Sequence, residues 1–174
     1  MSGTRATTDD GRIRPAEPAD AAALTGLTLS SKAVWGYDAA FMAACRAELT
    51  VRPESILRDP TYLIEADGRV LGFYQLRIDD EQADVFMIFV APEALRAGLG
   101  RRLWAHLEDT ARAAGAVRLE VDSDPHAEGF YRAMGMRRVG EAPSGSIPGR
   151  MLPHLAKELA PGCQECAEPS RGRP

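Results

Sequence analysis

The sequence predicts a single α/β domain, and three observations support this fold class. The chain has 174 residues, which is enough for one domain with a real core and too few for two domains of ordinary size. Along the chain, stretches in which apolar and polar residues alternate, as in strands, are followed by stretches with helical periodicity. An apolar run that begins at Ile88 also passes through a proline and a glycine turn into an amphipathic helix. We expect the domain to occupy residues 12–159, between tails at 1–11 and 160–174.

The first half of the domain is predicted to hold a strand, two helices and a β-hairpin. Asp20 and Asp38 each precede a stretch with helical periodicity, and aspartate is a common N-cap because its carboxylate accepts a bond from a first-turn N–H. Asp67-Gly68 lies between two strand-like runs and is one of the clearest hairpin signals. The predicted elements are a strand at 13–15, a helix from 20 into the low thirties, a helix from 38 to about 49, and strands at 62–66 and 70–78.

The second half is predicted to alternate strand and helix and then to close with two antiparallel strands. A turn at 79–82 leads into a strand that ends at Val90. The helix that follows carries apolar residues at four-residue spacing, so one side should pack on the sheet while Glu108 stays in water. Pro125 indicates another helix start, since proline has no N–H to lose at the first helical position. The remaining predicted strands are 117–121, 137–142 and 151–159.

The glycine turn has the composition of a phosphate-binding site. The first turn of a helix has backbone N–H groups without partners, and the helix dipole adds partial positive charge there, so an anion is held favourably. Gly98 and Gly100 would let the backbone come close to a diphosphate. Arg96, Arg101 and Arg102 would add forked donors that suit phosphate oxygens.

Two common phosphate-binding motifs do not fit this turn. A Walker loop ends in Gly-Lys-Ser/Thr, whereas Gly100 is followed here by two arginines. A dinucleotide fingerprint needs a third glycine at position 103, which is Leu103. A strand-to-helix connection that uses its glycines only for tight packing remains an alternative.

The segment 88–103 resembles the GCN5-related N-acetyltransferase (GNAT) family, with a strand, a Val-x-Pro step and a Gly-x-Gly turn onto a helix. The resemblance covers roughly residues 12–159. Its further parts are a strand at 117–121, a polar break at 122–125, the Phe130-Tyr131 pair before Gly135, substrate-side helices after 31–37 and a closing hairpin at 144–150. Three positions depart from the family pattern. Met136 stands where Phe is usual after Gly135, which is a change of packing rather than of chemistry. Arg96 stands one place later than the usual Gln or Arg, and Asp124 replaces a common Asn, so a plain helix cap there is the alternative to a bond with the pantetheine arm.

The resemblance implies a single domain with a mixed, mostly antiparallel sheet of about six to seven strands, a splayed parallel pair and about four flanking helices. It also implies acetyl-CoA as the acetyl donor, with its pyrophosphate bound by the glycine turn. A backbone N–H near the end of the strand Ile88-Phe89-Val90 is the family's usual donor to the oxyanion. The positions that match the family's cofactor contacts are Ile88, Phe89, Val90, Arg96, Ala97, Gly98, Leu99, Gly100, Arg101, Asp124 and Tyr131.

Tyr131 and Glu120 are the catalytic candidates. In the family, a tyrosine at the position of Tyr131 commonly lies near the thioester sulfur, which makes it the candidate acid; the alternative is a half-buried tyrosine bonded to a carbonyl. Glu120 alternates with Leu119 and Val121 on a strand expected to be covered on both faces, and could accept the amine proton through a water. The alternative for Glu120 is a structural ion pair with Arg77 or Arg118.

The acceptor amine is expected to contact the first two helices, their link and the last hairpin. Trp35 and Tyr37 could form an aromatic wall, and Arg150 could pair with a substrate carboxylate. Trp35 could equally pin the helix link to the core, which is the commoner use of a lone tryptophan. The acceptor could be a small amine, an amino acid, an antibiotic or a protein N-terminus.

Composition limits the other functional classes. The net charge of −4 does not indicate a basic surface for binding nucleic acid. Since the sequence has no long apolar run and no signal region, we expect a cytoplasmic enzyme without a membrane partner. Cys163 and Cys166 have zinc-like spacing but lack a second pair, so we expect no metal. We expect a small-molecule amine as partner and allow for a homodimer. The alternative functions are a non-catalytic acyl-CoA-binding sensor and a nucleotide-binding oxidoreductase domain, the latter disfavoured by Leu103.

Overall fold

A seven-stranded sheet forms the centre of the structure, which is a computed structural model that describes residues 11–160. The strands are β1 (Arg12–Pro15), β2 (Thr61–Ala66), β3 (Arg69–Asp79), β4 (Gln82–Val90), β5 (Arg118–Asp122), β6 (Arg137–Pro143) and β7 (Met151–Glu158). The α-helices are α1 (Ala21–Ala33), α2 (Ala39–Cys45), α3 (Pro53–Arg58), α4 (Leu99–Ala113) and α5 (Glu128–Ala133). The predicted Cys163 and Cys166 pair and most of both predicted tails lie outside the described residues.

The sheet has the order β1-β2-β3-β4-β5-β7-β6, and its pairs are antiparallel except for β4 with β5. That parallel pair is short, since its pairing runs only from Gln82–Arg118 to Asp84–Glu120. Beyond this point the two strands separate. The predicted mixed sheet with a splayed parallel pair is therefore confirmed.

Helices cover both faces of the sheet. The central strands therefore carry apolar residues on both sides. On one face, Leu103 and Leu107 of α4 pack with Leu119 of β5. On the other face, Leu24 of α1 packs with Phe73 of β3. Within residues 11–160, the helices are too short or too polar to cross a membrane.

The periodicity of α4 predicted its buried face correctly but misplaced Glu108. Leu99, Leu103, Leu107 and Ala111 are all buried, as predicted. The Glu108 side chain is only 12 % exposed, since it pairs with Lys157 of β7 and accepts bonds from Trp104 and Arg112. Four-residue spacing gives the position of a side chain around the helix, but it carries no information about a cation on a distant strand.

Two helix boundaries differ from the sequence-based expectation, and one helix was not predicted. The second helix ends at Cys45 rather than near 49, although Asp38 caps it as predicted by accepting a bond from Phe41 N at 2.8 Å. Helix α3 was not predicted, because its six residues are too few to show periodicity. Helix α5 begins at Glu128, after a turn that Pro125 opens.

The half-buried His106 on the α4 face should make stability depend on pH. Nδ1 of His106 lies 2.8 Å from the hydroxyl of the fully buried Tyr74, which also lies 2.8 Å from Oγ1 of Thr110. Burial lowers the pKa of His106 below its ordinary value of 6.5, so the folded state binds a proton less readily than the unfolded chain. We expect the free energy of unfolding to fall as pH drops below about 6.5 and through the lowered pKa.

Urea unfolding of the wild type and of His106→Gln between pH 8 and pH 5 tests this expectation. The glutamine can still bond to Tyr74 but does not titrate, so its stability should vary less over this interval. Equal pH dependence of the two proteins would assign the titration to other groups.

Candidate active site

A pocket of about 490 Å³ opens where β4 and β5 separate. Once the pairing with β5 ends at Asp84, the next six residues of β4 all line this pocket: Val85, Phe86, Met87, Ile88, Phe89 and Val90. The pairing of β4 with β3 also shifts register within this segment, at Phe86. The backbone groups on this edge of β4 have no β5 partner, so they are available to a ligand.

One end of the pocket is formed by the glycine turn before α4. Gly98 is the N-cap of α4 and has φ +81°, and Arg96 has φ +66°, a left-handed conformation that is uncommon without glycine. A Cβ atom at Gly100 would lie 3.1 Å from Phe130, so α4 and α5 approach closely there. Arg101 also lines the pocket. The turn therefore presents helix N–H groups and guanidinium groups to one end of the pocket, an arrangement suited to phosphate oxygens.

Most of the predicted cofactor-binding positions meet at this pocket. Those that line it are Ile88, Phe89, Val90, Arg96, Gly98, Gly100, Arg101, Asp124 and Tyr131. The side chain of Leu99 packs in the core instead, and Ala97 is not among the lining residues.

Tyr131 lies in the wall of the pocket, on α5. Its ring packs edge-on against Trp104 at 5.9 Å and Phe130 at 5.4 Å, measured between ring centroids. Burial raises the pKa of Tyr131 far above its ordinary value, and the negative charge of Asp124 adds to the shift. The hydroxyl therefore keeps its proton at neutral pH and can donate it only where negative charge develops.

Asp124 is bonded from four directions at the centre of the pocket wall. It pairs with Lys32 and with Arg150 at 3.4 Å, and it accepts a bond from the Tyr37 hydroxyl at 2.9 Å. The backbone N–H of His126 donates to it at 2.9 Å. This bond lies in the turn before α5, whose N-cap is Ala127, so the prediction that Asp124 caps the helix is wrong. Burial alone would raise the pKa of Asp124, but the bonds from Lys32 and the His126 N–H outweigh burial and lower it.

Two of the three predicted acceptor-side residues, Tyr37 and Arg150, contact this carboxylate, and the third, Trp35, stacks on the nearby His126. Trp35 and Arg150 line the pocket, and Tyr37 stacks on Phe41 at 3.9 Å behind them. Trp35 is 43 % exposed and stacks on His126 at 5.1 Å, so the alternative that it pins the helix link to the core is wrong. Arg150 already donates to the Tyr37 hydroxyl at 2.8 Å through one nitrogen.

Glu120 is not among the residues that line the pocket, and its side chain is mostly buried. Its carboxylate accepts bonds from Arg118 at 2.6 Å and Gln82 at 3.0 Å, so the ion pair with Arg118 is present. Arg77, the other partner considered, stacks on Phe86 instead. The β5 carboxylate that does line the pocket is Asp122.

The sequence reasoning missed several pocket residues. Lys32, Cys45, Glu48 and Asp122 all line the pocket, and Ser146 donates a bond to Glu48. No local motif marks these positions. The one available signal for Lys32 is that lysine occurs only twice in the chain, at 32 and 157, and both residues pair with a carboxylate on another element.

Comparisons with known proteins agree with this architecture. A GCN5-related N-acetyltransferase from Rhodopseudomonas palustris superposes with a TM-score of 0.72 at 24% identity, covering 86% of this chain and 96% of that one. The PaiA N-acetyltransferase of Thermoplasma acidophilum, solved with coenzyme A, gives a TM-score of 0.71 at 18% identity, over 84% of this chain and 98% of its own.

Sequence relatives lead to the same family. The mycothiol acetyltransferase of Pseudarthrobacter chlorophenolicus is 32% identical over 106 residues, which is 53% of this chain. The match covers only 32% of that protein, so the chain spans about a third of the relative's length. The model of the acetyltransferase (GNAT) family matches residues 33–136, from the end of α1 to Met136 after α5, and this range includes most of the residues that line the pocket. With its splayed β4 and β5, its glycine turn and this match, the chain belongs to the acetyltransferase (GNAT) family.

Proposed function

We propose that this protein transfers an acetyl group from acetyl-CoA to a primary amine of a small molecule or a peptide N-terminus. The observation that carries the proposal is one continuous pocket, which joins the glycine turn before α4, the unpaired edge of β4 and Tyr131 to the residues around Asp124. A diphosphate, a thioester and an acceptor each find suitable groups along it. The coenzyme A bound to a structural neighbour of 18% identity supports the same donor.

The residues present fit the coenzyme at the turn. Nothing lies within 4 Å of a Cβ atom built on Gly98, so the backbone there is open to a bulky diphosphate. The N–H groups of the first turn of α4 and the guanidinium groups of Arg96 and Arg101 would hold that diphosphate. The pantetheine arm would then run along the unpaired edge of β4 toward Tyr131.

The reaction is proposed as a direct attack in a ternary complex. The lone pair of the amine forms a bond to the thioester carbon, and the carbon–sulfur bond then breaks with release of the thiolate. A backbone N–H of the Ile88–Phe89–Val90 segment would stabilise the oxyanion, and Tyr131 would give its proton to the sulfur. Holding both reactants in one pocket supplies much of the rate enhancement, so no covalent enzyme intermediate is needed.

The acceptor is proposed to lie at the end of the pocket that Trp35, Glu48 and Arg150 line. Aromatic, carboxylate and guanidinium groups meet there, so an acceptor with both apolar and polar parts would fit. The mycothiol acetyltransferases among the relatives agree with a small amine as the acceptor class.

Binding and turnover are tested in two steps. Melting temperatures with acetyl-CoA, CoA, NAD and ATP should rise only with the first two ligands. Thiol release from acetyl-CoA is then measured with tyramine, spermidine, glucosamine, L-alanine amide and an alanine-initiated hexapeptide. Stabilisation by acetyl-CoA without thiol release for any amine would favour the acyl-CoA sensor, and stabilisation by NAD or ATP alone would contradict the proposal.

Glu120 remains our candidate for the group that takes the amine proton, through a water. Glu120→Gln keeps the shape and removes the base, so the acidic limb of the pH profile of kcat/KM should disappear or shift. Asp122→Asn is the matched variant, because Asp122 lies on the same strand and lines the pocket. An unaltered profile in Glu120→Gln with a large loss of Tm would make Glu120 a structural partner of Arg118. A changed profile in Asp122→Asn alone would move the base to Asp122.

A further inference from the structure

We infer that Asp124 is a positioning residue, which holds the acceptor-side wall of the pocket against the loop that leads to Tyr131. The inference rests on the proposed function and names the residue that sets the acceptor site. Lys32 and Arg150 line the pocket, Tyr37 bonds to Arg150 from behind them, and we call these three residues together the acceptor wall.

The acceptor wall comes from three separate parts of the chain. Lys32 is in the last turn of α1, Tyr37 is in the link to α2, and Arg150 is in the loop before β7. Their polar groups all converge on the Asp124 carboxylate. The side chains of Lys32, Asp124 and Arg150 are 13%, 11% and 19% exposed, so water contributes little to their solvation.

Asp124 also belongs to the chain segment that places Tyr131. Its carboxylate accepts the His126 N–H, and its carbonyl accepts the Ala127 N–H at 2.9 Å. The carbonyl of Ala127 in turn accepts the Tyr131 N–H at 3.3 Å. The stack of Trp35 on His126 bridges the same two parts of the chain. One carboxylate thus connects the acceptor wall with the helix that carries the proposed acid.

The negative charge of Asp124 holds the acceptor wall together, because it is the anion that Lys32 and Arg150 share. Without it, the Lys32 and Arg150 cations would remain half-buried, close together and without the anion they share, and this arrangement is unfavourable. The wall would then move away from the β5–α5 loop. Both carboxylate oxygens already accept bonds from protein donors, so the cofactor end of the pocket, built on the α4 turn, should be unaffected.

Asp124→Asn removes the charge and keeps the size of the side chain. With the panel amine that gives the highest kcat/KM, we expect the KM for that amine to rise about tenfold to a hundredfold. The dissociation constant of acetyl-CoA, measured by calorimetry, should stay within about twofold. In the double variant Lys32→Met and Asp124→Asn, the amine KM should lie closer to wild type than in Asp124→Asn, because one of the two unpaired cations is gone.

Glu108→Gln is the matched control. Glu108 also joins a lysine and an arginine, Lys157 and Arg112, but it does not line the pocket. Its loss should lower Tm and leave the KM for the amine unchanged, which separates a general loss of stability from a positioning effect.

A second readout needs no acceptor. In a Trp104→Phe background Trp35 is the sole tryptophan, since the chain has two, and its emission reports the stack on His126. Asp124→Asn should change that emission, whereas Glu48→Gln, which is also on the acceptor side of the pocket, should leave it unchanged.

Three results would overturn the inference. An unchanged amine KM in Asp124→Asn would show that the wall does not depend on its charge, and a weaker acetyl-CoA affinity with an unchanged amine KM would make Asp124 a cofactor contact. If the wild type acetylates none of the panel amines, the proposed function fails, and the positioning role is then tested by the Trp35 emission alone. Unchanged emission in Asp124→Asn would contradict that role.

Discussion

Replacing Tyr131 by phenylalanine is expected to lower kcat by about tenfold to a thousandfold, which is the contribution typical of a general acid. The dissociation constant of acetyl-CoA should stay nearly the same, because the ring remains and only the hydroxyl is lost. Single-turnover thiol release and calorimetric titration with acetyl-CoA measure the two quantities separately.

The surroundings of Tyr131 explain why this effect should be large. Its ring is enclosed by Trp104 and Phe130, so the phenylalanine variant keeps its position. Burial, with the charge of Asp124, raises the pKa of the phenol, so the proton is present throughout the neutral range. The charge of a thiolate that leaves into this partly apolar pocket is costly, so a proton supplied from the pocket wall favours its departure.

Tyr74→Phe is the control for this prediction. Tyr74 is also buried, but its hydroxyl contacts His106 and Thr110 on the α4 face of the sheet. Its loss should lower the free energy of unfolding by about 1–3 kcal/mol and leave kcat unchanged. If Tyr131→Phe behaves in the same way, Tyr131 is a packing residue and the thiolate takes its proton from water.

The second large effect is expected at the glycine turn. Gly98→Asp should raise the dissociation constant of acetyl-CoA about a hundredfold, because a carboxylate placed against a diphosphate costs several kcal/mol. A Cβ atom at Gly98 meets nothing within 4 Å, so the new side chain would project into the open pocket rather than disturb the core. Isothermal calorimetry with acetyl-CoA measures the change.

Two variants separate charge and backbone strain in this experiment. Gly98→Asn has the same shape without charge and should weaken binding less. Gly68→Asp places the same residue at another glycine with positive φ, +72° against +81° at Gly98, and also in open space. Its backbone strain is similar, but it lies in the turn between β2 and β3, so acetyl-CoA affinity should be unchanged. Unaltered affinity in Gly98→Asp would show that the diphosphate binds elsewhere.

Elements that depend on neighbours along the chain could be predicted from the sequence. The Asp67-Gly68 turn has positive φ at both residues, as a tight hairpin requires, and the apolar spacing of α4 marks its buried face. The glycine turn before α4 was identifiable for the same reason, since an N-terminal phosphate socket is built from consecutive residues. The family resemblance added the parallel pair, which no local pattern specifies.

Contacts between distant segments could not be predicted in this way. Lys32 and Asp124 are 92 residues apart, and Arg150 joins them only because the β5-β7-β6 order brings its loop to the end of β5. Glu108 shows the same limit, because its burial depends on Lys157.

The sequence by itself therefore determined the α/β class, the main strands and helices and the position of the glycine turn before α4, because hydrogen bonds and apolar periodicity within a short segment specify them. Only the tertiary structure decided which charges meet. It placed Asp124 among three side-chain donors and left Glu120 with Arg118, since a charged side chain takes its partner from whichever strand or loop the sheet order puts beside it.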